Sequence, residues 1–187
     1  MSQEKADVAR QEIRLKARTR RELDELLGLH FPRLRTAVTR AVFRLRPASR
    51  VRRMVVGRAV GQSVEALNRG DYESGFSFFH PDAELLTPTD AVVVTSFPAH
   101  VQGRAERIRL ERIWSGEWAD LRYQAEELID LRNQVLVLGR MVGSGQNSGA
   151  PFEIEWADLL TLSQGQVVTE QVFFNPTDAL KAVGLEG

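Results

Sequence analysis

The sequence predicts a segregated α+β domain, with helices first and a curved antiparallel sheet wrapped over them. Three observations carry this reading. A helix-period segment ends at Asn68-Arg69-Gly70-Asp71, and a second amphipathic run follows Gly103. Strand-like runs then end in Gln171-Val172-Phe173-Phe174-Asn175, before a short Leu180–Leu185 tail. A sheet that curls over its helices makes a pocket, so function turns on what the pocket walls can do.

In chain order, residues 4–27 read as a charged helix, weakly amphipathic through Ile13, Leu23, Leu26 and Leu27, and broken by Gly28 and Pro32. Residues 33–46 place Leu34, Ala37, Val38, Ala41, Val42 and Leu45 on one apolar face, with Arg33, Arg40 and Arg44 largely away from it. Pro47 ends that helix, Ser49 can cap the next, and Gly70 stops it. Asp71 can cap a short helix through Phe79, which Pro81 stops before a strand at Ala83–Leu86. Residues 87–102 read as a long loop with room for a strand. Residues 104–114 form a helix with Ala105, Ile108, Leu110 and Ile113 near one another and arginines outside. Four sheet segments follow at 121–130, 133–142, 151–163 and 166–175. The glycine-rich stretch Gly143–Gly149 joins two strands rather than a strand and a helix, so it is a hairpin loop and not a phosphate cradle.

A chain of 187 residues suffices for one domain of ordinary size plus an extension, here residues 1–51 as a basic helical extension and 52–187 as the pocket domain. The absence of cysteine excludes disulfides, a thiolate nucleophile and sulfur-ligated zinc. No apolar run reaches the roughly 18 residues of a spanning helix, and Ser2–Asp7 lacks the apolar core of a secretory signal, so a cytoplasmic protein is expected. His30, His80 and His100 stand apart, and neither a metal nor another cofactor is expected. The zero net charge hides a division: residues 1–58 hold 16 basic and 6 acidic residues, and residues 59–187 hold 9 and 19. Two readings stay open. The basic helices lie against their own acidic domain or in solvent, or they meet nucleic acid or an anionic membrane.

The ordered set Asn68-Arg69-Gly70-Asp71, His80-Pro81-Asp82-Ala83-Glu84-Leu85, Gly103 before a helix, Val135–Arg140, the Gly165 turn and Ala179-Leu180…Gly184-Leu185 resembles SnoaL-like proteins. These belong to the nuclear-transport-factor-2-like superfamily, with ketosteroid isomerases, limonene epoxide hydrolases and polyketide cyclases. The resemblance covers about residues 52–185. It implies a cone-shaped fold, three helices packed in a strongly bent antiparallel sheet, and frequent homodimerisation through the sheet's outer face. Enzymes and non-catalytic binders share this scaffold, so function depends on the site.

Against the ketosteroid isomerases, the resemblance puts Thr87 where a carboxylate moves the proton, and threonine has no useful basicity near neutral pH. Ser63 stands where a tyrosine holds the oxyanion, and Asp158 matches the second, acidic oxyanion donor. Asp158 shares a strand face with Ile154, Trp156 and Leu160. It is either an acid raised in pKa by desolvation and able to carry a proton, or an acceptor for a neighbouring Trp, Arg or backbone group, or a residue near an open rim. Against the epoxide hydrolases, Arg140 matches the arginine, but Val142 and Asn175 replace the two acids. Glu170 alternates with Val172 and Phe174 and shares their face, as a pocket acid or as a paired or rim acid. His100, beside the expected pocket mouth, is a candidate for ligand contact. Trp114 and Trp118 flank a helix-to-strand joint, as core or pocket lining. The reading is a SnoaL-like homodimer binding an apolar small molecule, without catalysis. The alternative is an isomerase or polyketide-cyclase-like enzyme with Asp158 as proton carrier, assisted by Ser63 or His100.

Overall fold

Helices and strands follow the expected order, with one more strand at the front. The structure, a computed structural model, describes residues 8–13, 30–87 and 98–185. Its elements are β1 (Ala9–Glu12), α1 (Pro32–Phe43), α2 (Arg50–Asn68), α3 (Tyr72–Gly75), β2 (Phe79–Leu86), β3 (His100–Gln102), α4 (Arg104–Gly116), β4 (Trp118–Asp130), β5 (Gln134–Gly145), β6 (Pro151–Ser163), β7 (Gln166–Phe173) and α5 (Pro176–Ala182). The strands form one curved, open sheet in the order β1-β4-β5-β6-β7-β2-β3. Every neighbouring pair is antiparallel except β2 and β7, which run parallel.

Three expectations change. Residues 9–12 lie within the helix expected over 4–27, yet they form a strand on the free edge of β4, with Ala9 opposite Asp130. Their burial alternates residue by residue, a period of two that charge-rich flanks obscure. Val8 and Ile13, on either side of the strand, are not helical, and residues 4–7 and 14–27 of that expected helix lie outside the described residues. The helix capped by Asp71 ends at Gly75 rather than Phe79, and strand β2 begins at Phe79 and includes Pro81. On α4 the buried stripe is Arg107, Leu110, Glu111 and Trp114, whereas Ile113 is half exposed. The i, i+3, i+4, i+7 spacing was present, but two of its members are charged.

Bending comes from bulges. An extra residue in β4 shifts its register on β5 between Ala125 and Glu127, and another shift separates Ala119 from Arg122. Gly139 sits opposite the first bulge, where a Cβ would come within 2.1 Å of the Gln124 carbonyl oxygen, so no larger residue fits. Val56 and Val64 of α2 pack into the resulting concavity against Leu128, Val135, Val137 and Trp156. On the convex side, Ile129, Leu136, Ala157, Leu159 and Phe173 are covered by Ala179 of α5 and by Leu180, Val183 and Leu185. Beyond that cover the outer face is charged, with Arg140 bonded to both Glu126 and Glu153. Among the described residues no helix is long and apolar enough to cross a membrane.

Gly165 fixes α1 over the concavity. It turns between β6 and β7 with φ +83°, and a Cβ there would lie 2.5 Å from the Thr36 carbonyl oxygen and 2.7 Å from the Arg40 nitrogen. Gly165→Ala combines a left-handed backbone cost of about 1–2 kcal/mol with a push against the α1 backbone. The expected result is a lower urea midpoint and faster amide exchange across residues 36–43. Unchanged exchange there would show that the turn does not hold α1.

Candidate functional site

Between α1, α2, α3 and the concave face of the sheet lies a hollow of about 470 Å³. Most of its wall is apolar, including Val56, Val60, Phe76, Val137 and Leu160, and one end is polar. That pole gathers Arg107 and Glu111 from α4, Tyr123 from β4, Asp158 from β6 and Glu170 from β7.

Strand register brings the three sheet residues inward. Asp158 stands between Val137 of β5 and Val172 of β7, and Glu170 between Leu160 of β6 and Leu85 of β2. Tyr123 is fixed through its backbone: its N–H donates to Asn68 Oδ1 at 2.7 Å, and its carbonyl accepts from Asn68 Nδ2 at 2.9 Å. Asn68, the last residue of α2, thus acts as a strand neighbour for β4.

Arg107 organises the pole. Its Nε and Nη2 donate to the two oxygens of Glu170 at 2.7 and 3.2 Å, and Nη1 donates to Glu111 at 2.8 Å. Its guanidinium also lies 4.5 Å from the centre of the Phe76 ring. The other oxygen of Glu111 accepts from the Tyr123 hydroxyl at 2.5 Å and from Ser115 Oγ at 3.2 Å. Burial opposes the charge on Arg107, but Glu170 and Glu111 outweigh it and hold the group protonated. Burial, then the charge of Glu111 and its hydrogen bond, push the Tyr123 hydroxyl well above its usual pKa.

One guanidinium facing two carboxylates leaves the pole with an excess negative charge, and Asp158 would add another. Among the described residues its carboxyl has no hydrogen-bond partner; it retains partial exposure and lines the hollow. Burial and then the charge of Glu170 raise its pKa well above the ordinary carboxylate value; Arg107 opposes this, and Glu111 adds to it. The neutral acid is therefore favoured.

This has a measurable consequence. A carboxyl whose folded pKa is raised contributes stability that is fully present below its unfolded value of about 3.9. That contribution is lost as pH rises through the folded value, because the folded state then binds more protons than the unfolded one. Asp158→Asn abolishes the dependence. Its stability is expected to gain on the wild type with increasing pH above about 4, by at most about 1.4 kcal/mol per pH unit. Parallel urea-stability profiles between pH 4 and 8 would contradict the assignment.

Of the residues singled out from sequence, the hollow brings together Ser63, Trp156, Asp158 and Glu170. It does not bring in the others. Thr87 is buried beyond the end of β2, bonded through its N–H to the Ala99 carbonyl. His100 is exposed on β3, 3.9 Å from Glu84. Trp114 packs with Leu85, Val101 and Leu110, and Trp118 and Phe174 pack against that cluster. Arg140 lies on the charged outer face. Glu170, placed by its alternation, is paired with Arg107 rather than standing alone.

Arg107, Glu111 and Tyr123 escape a reading based on apolar periodicity, since that reading sends charged residues outward. The available signal was the Arg107/Glu111 i, i+4 pair in phase with Leu110 and Trp114. Among the described residues no group of three or more His, Asp or Glu could hold a metal ion.

The SnoaL-like domain profile matches residues 60–170. No curated protein matches the chain. A nuclear-transport-factor-2-like protein of unknown function from Burkholderia pseudomallei shares 20% identity over 68% of this chain and 95% of its own, with TM-score 0.56. A SnoaL-like polyketide cyclase, so described, from Jannaschia sp. CCS1 shares 16% over 70% and 92%, with TM-score 0.53. A protein of ketosteroid isomerase-like fold from Catenulispora acidiphila, solved in complex with trimethylamine, shares 14% over 68% and 93%, with TM-score 0.53. At these identities the likeness is one of fold.

Proposed function

The chain belongs to the SnoaL-like domain family, and on that premise we propose that its hollow binds a small, mostly apolar molecule whose polar group meets Asp158. The observation that carries this is the hollow itself, an apolar chamber of about 470 Å³ with one polar pole. One group in its wall supports it. The Asp158 carboxyl has no hydrogen-bond partner among the described residues. Buried polar groups in native proteins nearly always have a partner, and a bound molecule supplies one. The reading is of a binding domain. The base position of the isomerases falls on Thr87, off the hollow, and Ser63 is a short donor in its wall.

The test is to pass a metabolite extract over the immobilised protein and identify retained compounds by mass spectrometry. Ala59 lines the hollow from α2, and Ala59→Phe puts a ring into that space. The wild type is expected to retain a discrete set of ring-bearing apolar compounds that Ala59→Phe loses by tenfold or more. Identical retention by the two proteins would refute the reading.

A second reading rests on Asp158. A carboxylic acid whose pKa is raised by burial, at the polar end of an apolar chamber and near a tyrosine, suits proton transfer in an isomerase or cyclase acting on an apolar ring compound. Relatives of this fold described as a polyketide cyclase and an isomerase are consistent with it but share less than 20% identity. The two readings diverge on incubation with a retained compound. A binder returns it unchanged, whereas an enzyme converts it, and Asp158→Asn then stops conversion while leaving retention measurable.

A further inference from the structure

We propose that α1 and the first half of α2 form a surface that docks on an anionic lipid bilayer, with the mouth of the hollow facing the lipid. The first observation is charge. Between His30 and Val64 the chain has nine arginines and no aspartate or glutamate. Seven of them, Arg33, Arg40, Arg44, Arg46, Arg50, Arg53 and Arg58, are exposed.

The second observation is independent of charge. Large apolar side chains stand exposed among these arginines: Phe31 at 56%, Leu34 at 64%, Val38 at 50%, Val51 at 52% and Met54 at 66%. Phe31, Leu34 and Val38 are also in the wall of the hollow, as are Val55, Arg58 and Ala59 of α2. The hollow therefore opens where the two helices meet on this face. Arg35, between Phe31 and Val38, is drawn inward, bonded to the Ser77 carbonyl and stacked 4.7 Å from the centre of the Phe78 ring.

Two partners satisfy only half of this surface. A nucleic acid would neutralise the arginines and leave Leu34 and Met54 in a polar setting, because phosphate binding needs no apolar projections. A second copy meeting the same face through a two-fold axis would cover the apolar residues but oppose arginine to arginine. An anionic bilayer answers both features, since apolar side chains enter the acyl boundary while guanidinium groups meet lipid phosphates. An apolar molecule dissolved in the bilayer would then reach the hollow without crossing water.

The experiment is co-sedimentation of the full chain with sonicated vesicles of phosphatidylcholine alone or with 30% phosphatidylserine. Binding is expected only to the anionic vesicles. Val51→Glu/Met54→Glu, which alters exposed positions outside the wall of the hollow, is expected to weaken it at least tenfold, and so is Arg50→Glu/Arg53→Glu. Circular dichroism and urea unfolding of both variants establish that they are folded. Absence of binding to either vesicle overturns the proposal. So does anionic-vesicle binding that is indifferent to Val51→Glu/Met54→Glu and matched by duplex DNA, which would mark a polyanion surface. A concentration-dependent dimer that the same variant dissociates, with no vesicle binding, would assign the face to a second copy.

Discussion

Arg52→Met is expected to lower stability by about 3–5 kcal/mol, the cost of removing one partner from a buried ion pair. Arg52 is fully buried, and all five of its N–H donors are used. Nε and Nη2 bond the two oxygens of Asp130 at 2.7 and 2.6 Å, and Nη1 bonds the Phe43 and Leu45 carbonyls at 2.8 Å each. Nη2 also bonds the Arg132 carbonyl. One side chain thus ties the end of α1 and the start of α2 to the β4–β5 turn. Without it, Asp130, 1% exposed, keeps only the N–H of Arg132 at 3.1 Å among these bonds. A domain of this size has about 5–15 kcal/mol of stability, so the variant approaches unfolding. Arg52→Lys, with three donors on a point charge, is expected to fall between wild type and Arg52→Met. Arg52→Met/Asp130→Leu should recover much of the loss but not all, because three carbonyls still lack their donor. Urea unfolding of the set measures the coupling. A double variant no better than Arg52→Met alone would show that the cost lies in the carbonyls rather than in the orphaned carboxylate.

What could be read from the sequence follows from how each element earns its stability. The strands β5, β6 and β7 are apolar runs or alternations separated by glycine-containing turns at Gly145–Gly149 and Gly165, so pattern and punctuation agreed and only the strand ends moved by a few residues. Helix α2 lies between Ser49 and Gly70 as expected, although the Ser49 side chain makes no capping hydrogen bond. Strand β1 escaped because four residues on a sheet edge draw their stability from pairing with β4, which local propensity does not record. The site was half legible for the same reason. Asp158, Trp156 and Glu170 occupy alternating strand positions, and alternation finds them. Arg107, Glu111 and Tyr123 are charged or polar groups made tolerable indoors only by one another. No window of one element contains their partners. Arg52 shows the same limit, since its carboxylate lies 78 residues away. Leu34 and Val38 illustrate the converse: their spacing gives a helix with an apolar face but not what that face meets, and here it stands exposed at an opening.

Arg107→Met is the second variant expected to have a large effect, and its signature is in pH rather than size alone. The loss at neutral pH should again be about 3–5 kcal/mol, since Glu111 and Glu170 are both 2% exposed and would face each other without a counter-charge. Neither can turn to bulk solvent, so relief comes from proton uptake by the folded protein. In the variant the cluster then binds more protons folded than unfolded, and its stability falls as pH rises above the ordinary glutamate value of about 4.3. The gap between wild type and Arg107→Met is therefore expected to be small near pH 4 and to widen towards pH 8. Methionine keeps most of the packing against Phe76, so a merely steric role for Arg107 predicts a gap independent of pH. Adding Glu170→Gln should reduce the slope without abolishing it, because one carboxylate of the facing pair is gone while Asp158 and Glu111 remain. Circular dichroism-monitored urea unfolding of wild type, Arg107→Met and Arg107→Met/Glu170→Gln at four pH values separates these outcomes. A constant gap would remove electrostatics as the reason three acids and one arginine share this wall.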